Sequence, residues 1–328
     1  VAVRLVQDAT RRNRSHQTST DQTRWTCAFV NNMPDGAFDA TERQYLELLD
    51  AGSGSEVIEV RRYAMDVVAR GERTAARIAE EYSPVSDVYL DPPDLLIVTA
   101  SKPIETKMRD ELYWADLAEL LSWGSENVAS MLVSCLSAHA AMTIFDGIER
   151  VRLASKCTGV FAQQVDRTHP LAFGFEPEIL LPHTRNNTAP LDALVHAGYR
   201  IAIQSDEVGW SVATKEIGGC NVVFLQSHPE YEPSSLLREY RRDARRYVLH
   251  ERDDLPILPF HCVAPEDWEK LEKMHELIIG GRRDPALLDA YPFDDVGARA
   301  PWPWRSMAKR FYANWLASVQ KRGDEIDA

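Results

Sequence analysis

Two stretches of this sequence carry side chains able to do covalent chemistry. Cys135 closes an apolar run, ASMLVSC over residues 129–135, and LSAHAAM follows at once. A cysteine on a tight strand-to-helix turn projects into the cleft at the carboxyl end of a sheet. The helix N-terminus beneath it favours a thiolate, and backbone N–H groups of the same turn can hold an oxyanion. His228-Pro229-Glu230 follows a second apolar run, residues 221–227, and would reach the same end of the sheet. A histidine with a carboxylate two residues on supplies a general base and the group that orients it. Cys135, His228 and Glu230 therefore have the parts of a nucleophilic triad. Taken singly, Cys135 also reads as a buried structural thiol and His228 as a loop residue. Their shared position at strand ends favours the pair.

Cationic candidates stand nearby. Arg185, in PHTRNN, follows a strand candidate at residues 178–182, and Arg242 lies on the helix after the His-Pro-Glu turn. Either can take a substrate carboxylate in bidentate fashion, although a lone arginine is more often in a solvated or structural ion pair. Lys156 is open to the same two readings. His139, His169, His183 and His196 show no metal-ligand spacing, so no metal is expected. No GxGxxG or Walker-type loop is present to cradle nucleotide phosphates.

These residues need elements to hold them. Apolar runs at 25–33, 56–63, 94–100 and 129–135 read as strands, and helix-spaced stretches at 41–49, 70–82, 113–123 and 137–145 alternate with them. That order predicts an α/β fold: a flavodoxin-like, doubly wound, mainly parallel sheet with helices on both faces. Short strand candidates then crowd together at 159–165, 178–182, 200–204, 210–213 and 221–227, which predicts an antiparallel extension in the C-terminal half. A charged helix at 234–249, a Pro-rich and acidic tail at 253–295 with a helix at 268–277, and an amphipathic helix at 302–319 complete the chain. The polar residues 1–24 read as a loose N-terminal arm ahead of a single domain, 25–328.

Composition bounds the function. The 328 residues include 50 acidic and 37 basic side chains, a formal net charge of −13, and 45% of them are hydrophobic. This is a globular composition, and its acidity argues against a nucleic-acid binder. Five cysteines without CxxC spacing fit reduced thiols in a cytoplasmic protein. No apolar stretch reaches the roughly 18 residues of a membrane span, and no signal core is visible.

Beyond these features, a series of motifs in order along the chain is similar to the homoserine O-acyltransferases, best known as homoserine O-succinyltransferase, of the class I glutamine-amidotransferase-like superfamily. They are Asn32-Met33-Pro34 with Thr41-Glu42, Pro103-Ile104-Glu105, Tyr113-Trp114, the Cys135 position, and Lys156 with Gly159-Val160-Phe161. Pro182-His183-Thr184-Arg185, His228-Pro229-Glu230-Tyr231, Glu239-Tyr240 with Arg242-Asp243, Trp304-Arg305-Ser306 and Asn314-Trp315-Leu316 follow. The resemblance implies that Cys135 attacks an acyl-CoA thioester and that His228, supported by Glu230, activates the hydroxyl of homoserine, toward methionine. It implies that Arg185 and Arg242, with Lys156, bind substrate, and that backbone N–H groups near Leu136 and near Ala100 or Ser101 form the oxyanion hole. No bound cofactor or metal is implied, only acetyl-CoA or succinyl-CoA as co-substrate. The implied partners are small molecules, with neither nucleic acid nor membrane, and a homodimer is the default assembly.

The chain also departs from the family. Cys135-Leu136-Ser137 replaces Cys-Trp-Ala, Thr99-Ala100-Ser101-Lys102-Pro103 replaces a Thr-Gly-Ala-Pro loop, and Asp35-Gly36 stands where a basic pair is usual. Met307 replaces a histidine. The resemblance implies that Glu105 leans the donor toward acetyl, and the departures leave the acceptor as homoserine or another hydroxy amino acid such as serine. A glutaminase or amidotransferase-like hydrolase is the alternative enzyme class. Val133 and Ser137 stand where its GxCxG would need glycines. A non-catalytic binding protein would have no use for the whole set of reactive residues.

Overall fold

In a computed structural model, which describes residues 2–6, 23–99, 101, 103, 105 and 107–319, the apolar runs assemble into one mixed sheet. Its parallel half holds β1 (Val3–Val6), β2 (Thr23–Val30), β3 (Val57–Ala64), β5 (Leu95–Val98), β6 (Ser130–Ser134) and β11 (Cys220–Leu225). The short β4 (Ser83–Pro84) pairs with β3. Strand order is β1-β3-β2-β5-β6-β11, so β6 and β11, the strands that precede Cys135 and His228, are neighbours.

The sheet then turns antiparallel through β10 (Gly209–Ile217), β9 (Arg200–Ser205), β7 (Val151–Val165) and β8 (Glu178–Thr188). Helices cover both faces, as alternation along β2 requires. Trp25, Cys27 and Phe29 pack with α1 (Asp35–Gly52), α6 (Ser235–Val248), α7 (Pro265–Ile279) and α10 (Arg305–Ser318). Ala28 and Val30 face α3 (Trp114–Asn127) and α4 (Leu136–Asp146). β5 and β6 are wholly buried, as apolar runs covered on both sides should be. Smaller helices are α2 (Glu72–Glu81), α5 (Leu191–His196), α8 (Pro285–Asp289) and α9 (Phe293–Ala298).

The sheet differs from the sequence reading most at its two ends. Val3–Val6, expected within a loose arm, forms an edge strand paired in parallel with β3. Four residues are too short for a periodic signal. Strands β7 and β8 are much longer than 159–165 and 178–182, because their outer halves pair with each other and leave no apolar pattern. Pro182 sits inside β8, which an edge strand tolerates.

Candidate functional site

The turn from β6 into α4 is a single residue. Cys135 adopts φ 52°, ψ −107°, a conformation that costs a non-glycine residue strain. It is held there by neighbours: its N–H donates to the Leu225 carbonyl at the end of β11 (2.7 Å). Leu136 opens α4, so its N–H belongs to the first turn, whose amides have no intrahelical partner. Ser137 Oγ donates to the Thr99 carbonyl at 2.6 Å, and the Asn32 N–H donates to Thr99 Oγ1 at 2.9 Å. These bonds tie the ends of β2, β5 and β6 together around the sulfur. Ala100 lies outside the described residues, and Ser101 is half-buried next to Tyr113.

His228 follows β11 by three residues. Its N–H donates to the Pro182 carbonyl of β8 (2.9 Å), and its ring stacks on Tyr231 at 4.4 Å between centroids. Nδ1–H donates to Glu230 Oε1 at 2.7 Å, Nε2 is buried, and the ring also interacts with the Cys135 sulfur. Burial by itself disfavours the imidazolium. The Glu230 carboxylate and the Cys135 sulfur outweigh it and hold His228 well above the usual imidazole range. Neighbouring His183 has no carboxylate, and burial keeps it neutral, with Nε2 against Ser211 Oγ at 3.1 Å.

The expected cations fall into two environments. Arg185 lies within β8, opposite Cys157, not after the strand as the sequence suggested. It is only 6% exposed, and its donors meet the Asn187 and Val208 carbonyls. Among the described residues no carboxylate pairs with it, and Nε is buried without a partner. Burial lowers its pKa, against the pull of the Cys157 and Cys135 thiols. Arg185 forms part of the wall of a cavity of about 460 Å³ that Phe161, Trp210 and Phe260 make largely apolar. Gly159 shapes that wall: at φ 147° it lets the backbone meet Phe260, where a Cβ would come within 2.7 Å of the Phe260 nitrogen.

Lys156 and Arg242, by contrast, are already paired. Lys156 Nζ lies 3.0 Å from Asp243 and 3.7 Å from Glu239, and Arg242, its side chain 53% exposed, bonds Asp243. Glu239 also accepts from Thr184 Oγ1 (2.7 Å) and from the Tyr231 hydroxyl (2.6 Å), which links this cluster to the ring stacked on His228. Sequence reasoning assigned Glu239, Asp243 and Thr184 no role. Their signal was the spacing of Glu239 and Asp243, four residues apart on one face of α6. The Glu105 side chain is exposed, and its N–H is held by Glu111 Oε1 at 2.9 Å. Among the described residues no group of three or more His, Cys, Asp or Glu side chains is gathered as a metal site. Within the same residues no helix is long and apolar enough to cross a membrane.

Residues 7–323 match the family model described as homoserine O-succinyltransferase. The chain is 35% identical over 301 residues to a homoserine O-succinyltransferase of Methylorubrum extorquens, covering 92% of this chain and 89% of that one. It is 36% identical over 292 residues to the enzyme of that name from Bradyrhizobium japonicum, covering 89% of each. Among solved structures it is similar in fold to SMU.1228c, at 13% identity and a TM-score of 0.50 over 89% of this chain and 98% of that chain. A glutamine amidotransferase of Thermotoga maritima matches at 11% identity and a TM-score of 0.44, covering 88% of this chain and 97% of that chain.

Proposed function

The chain belongs to the homoserine O-succinyltransferase family, and from that premise we propose that it moves an acyl group from acyl-CoA, through a thioester on Cys135, to the hydroxyl of homoserine. The observation that carries this reading is the strained Cys135 turn beside a buried His228–Glu230 pair whose imidazole interacts with the Cys135 sulfur.

In the first half-reaction the Cys135 sulfur adds to the thioester carbonyl. The developing oxyanion takes hydrogen bonds from the Leu136 N–H and from the backbone at Ser101. The carbon–sulfur bond to CoA breaks, and the departing thiolate takes its proton from His228. In the second half the acceptor hydroxyl gives its proton to His228 Nε2 as its oxygen attacks the acyl carbon, and the bond to Cys135 breaks to release the ester. A thioester is already activated, so the protein needs to supply only a nucleophile, a proton carrier and oxyanion donors.

Arg185 suits the acceptor's carboxylate, because it is a buried fork with no acid of its own. Arg242 and Lys156, beside Asp243 and Glu239, suit the amino-acid head group, whose ammonium the two carboxylates can meet.

The test is CoA release followed with acetyl-CoA or succinyl-CoA, with homoserine or serine as acceptor. Release that depends on homoserine supports the reading, and the faster donor identifies the acyl group. Serine-dependent release with homoserine inert would reassign the acceptor. Glutamine hydrolysis without acyl transfer would overturn the reaction class.

A further inference from the structure

Strand β11 ends at Leu225, yet His228 stands three residues further on. The ladder between β10 and β11 stops at the pair Val212–Leu225, so the stretch that leads to His228 needs other partners. Ser211 supplies them. Between β10 and β9 the register steps from Trp210–Gln204 to Val212–Ile203, which leaves Ser211 with no opposite residue on β9. A bulge of this kind turns an extra residue out of the ladder, often beside an active site. Here the Ser211 carbonyl accepts from the Gln226 N–H at 2.9 Å and from the Ser227 N–H at 3.3 Å.

The Ser211 side chain is held in turn. Its hydroxyl donates to Gln163 Oε1 on β7 at 2.6 Å. With that proton engaged, the same oxygen accepts from His183 Nε2–H on β8 at 3.1 Å, which fixes the tautomer of the His183 ring. Pro182, one residue before His183, takes the His228 N–H at 2.9 Å. The segment before His228 is therefore gripped from two sides, by the Ser211 carbonyl and by the Pro182 carbonyl. Gln163, His183, Ser211, Gln226 and Ser227 are all fully buried. Hydrogen bonds in such a place specify one arrangement of the backbone, because breaking any of them strands a polar group away from water.

We propose that Ser211 and His183 are positioning residues for His228: the relay Gln163–Ser211–His183 locks the bulge in β10 and so sets where the imidazole stands against the Cys135 sulfur. The antiparallel half of the sheet thereby aligns a base that the parallel half delivers. This rests on the reading of Cys135 and His228 as a reacting pair, but not on the identity of the acyl donor or acceptor.

The test therefore uses no substrate. The rate of Cys135 alkylation by iodoacetamide is measured against pH by peptide mass spectrometry in the wild type, Ser211→Ala, His183→Phe, their double variant, Ser211→Thr and Val222→Ala. A thermal melt of each variant confirms the fold. The titratable groups around the His228–Cys135 pair are Glu230 and Tyr231 on the turn of His228, His183 and Arg185 on β8, and Tyr45 on α1. None of the substitutions removes a charge from that set, because burial keeps His183 neutral. Ser211→Ala and His183→Phe should each move the alkylation midpoint up by about one pH unit, the scale of one hydrogen bond to a charged group. The double variant should match Ser211→Ala, in which the bond to His183 is already lost. Ser211→Thr keeps the hydroxyl and should stay at the wild-type midpoint. Val222→Ala trims a buried side chain of β11 outside the relay, so it should lower the melting temperature and leave the midpoint in place. Unchanged midpoints in Ser211→Ala and His183→Phe, or an equal shift in Val222→Ala, overturn the proposal. Midpoints that shift as expected in a protein without acyl transfer would support it and count against the acyltransferase reading alone.

Discussion

Arg185 shows how much one side chain can say once its surroundings are known. In the sequence it is an arginine in a polar segment, with a solvated ion pair as its ordinary fate. In the structure it is buried, bonded to two carbonyls and free of any acid among the described residues. A guanidinium in that state is costly unless an anion completes it. Arg185→Lys keeps the charge but loses the planar fork. Steady-state kinetics of this variant should show the acceptor KM raised by about tenfold or more, with kcat less affected. An unchanged KM would mean that the carboxylate is held elsewhere, with Arg242 as the next candidate. The placement of Cys135, His228 and Glu230 at neighbouring strand ends was legible because each follows an apolar run. Thr184 and Glu239 were not, since only the fold brings β8 and α6 together, with Thr184 Oγ1 at 2.7 Å from Glu239.

At the scale of elements, the strands that position the site were largely readable, because buried parallel strands are continuous apolar runs. β5 and β6 fell within the expected segments, and α4 began one residue after Cys135. What was not readable were pairings without an apolar pattern: β1 at the edge, and the outer halves of β7 and β8 that carry Lys156 and Arg185. Helix crossings were equally invisible. Gly52 ends α1 where α10 passes, and a Cβ there would come within 2.8 Å of the Tyr312 Cβ and 2.9 Å of the Ala313 nitrogen. Backbone cannot yield as a flexible side chain can. Gly52→Ala should therefore wedge α1 away from α10 and destabilise the fold by about 1–3 kcal/mol. Urea unfolding measures this, and a midpoint at or above that of the wild type would show that the helices part without cost.

For the molecule as a whole, buried neutral histidines set its response to acid. Burial brings His139 and His169 down to about 4. The unfolded chain takes up these protons near the ordinary value of about 6.5, whereas the folded one does so only near 4. Between those pH values the unfolded state binds more protons, so stability falls as pH drops through the window. Each group can contribute about 3 kcal/mol at most by this linkage. His228 adds little slope there, because it is charged in both states below 6.5, and lowered carboxylates such as Asp243 act at still lower pH. Thermal melts from pH 7 to 4 should show a steadily falling Tm, and His169→Gln should flatten the decline. A Tm independent of pH across that range would contradict the assignment of neutral, buried rings.

The proposed function turns on one event, the transfer of an acyl group onto the Cys135 sulfur, which is held at a strained turn. The most direct measurement is the intact mass of the protein after incubation with acetyl-CoA or succinyl-CoA in the absence of any acceptor. The account predicts one acyl group added per chain, lost when homoserine is supplied and never formed by Cys135→Ala. No added mass with either donor, or an adduct that persists in Cys135→Ala, would contradict it.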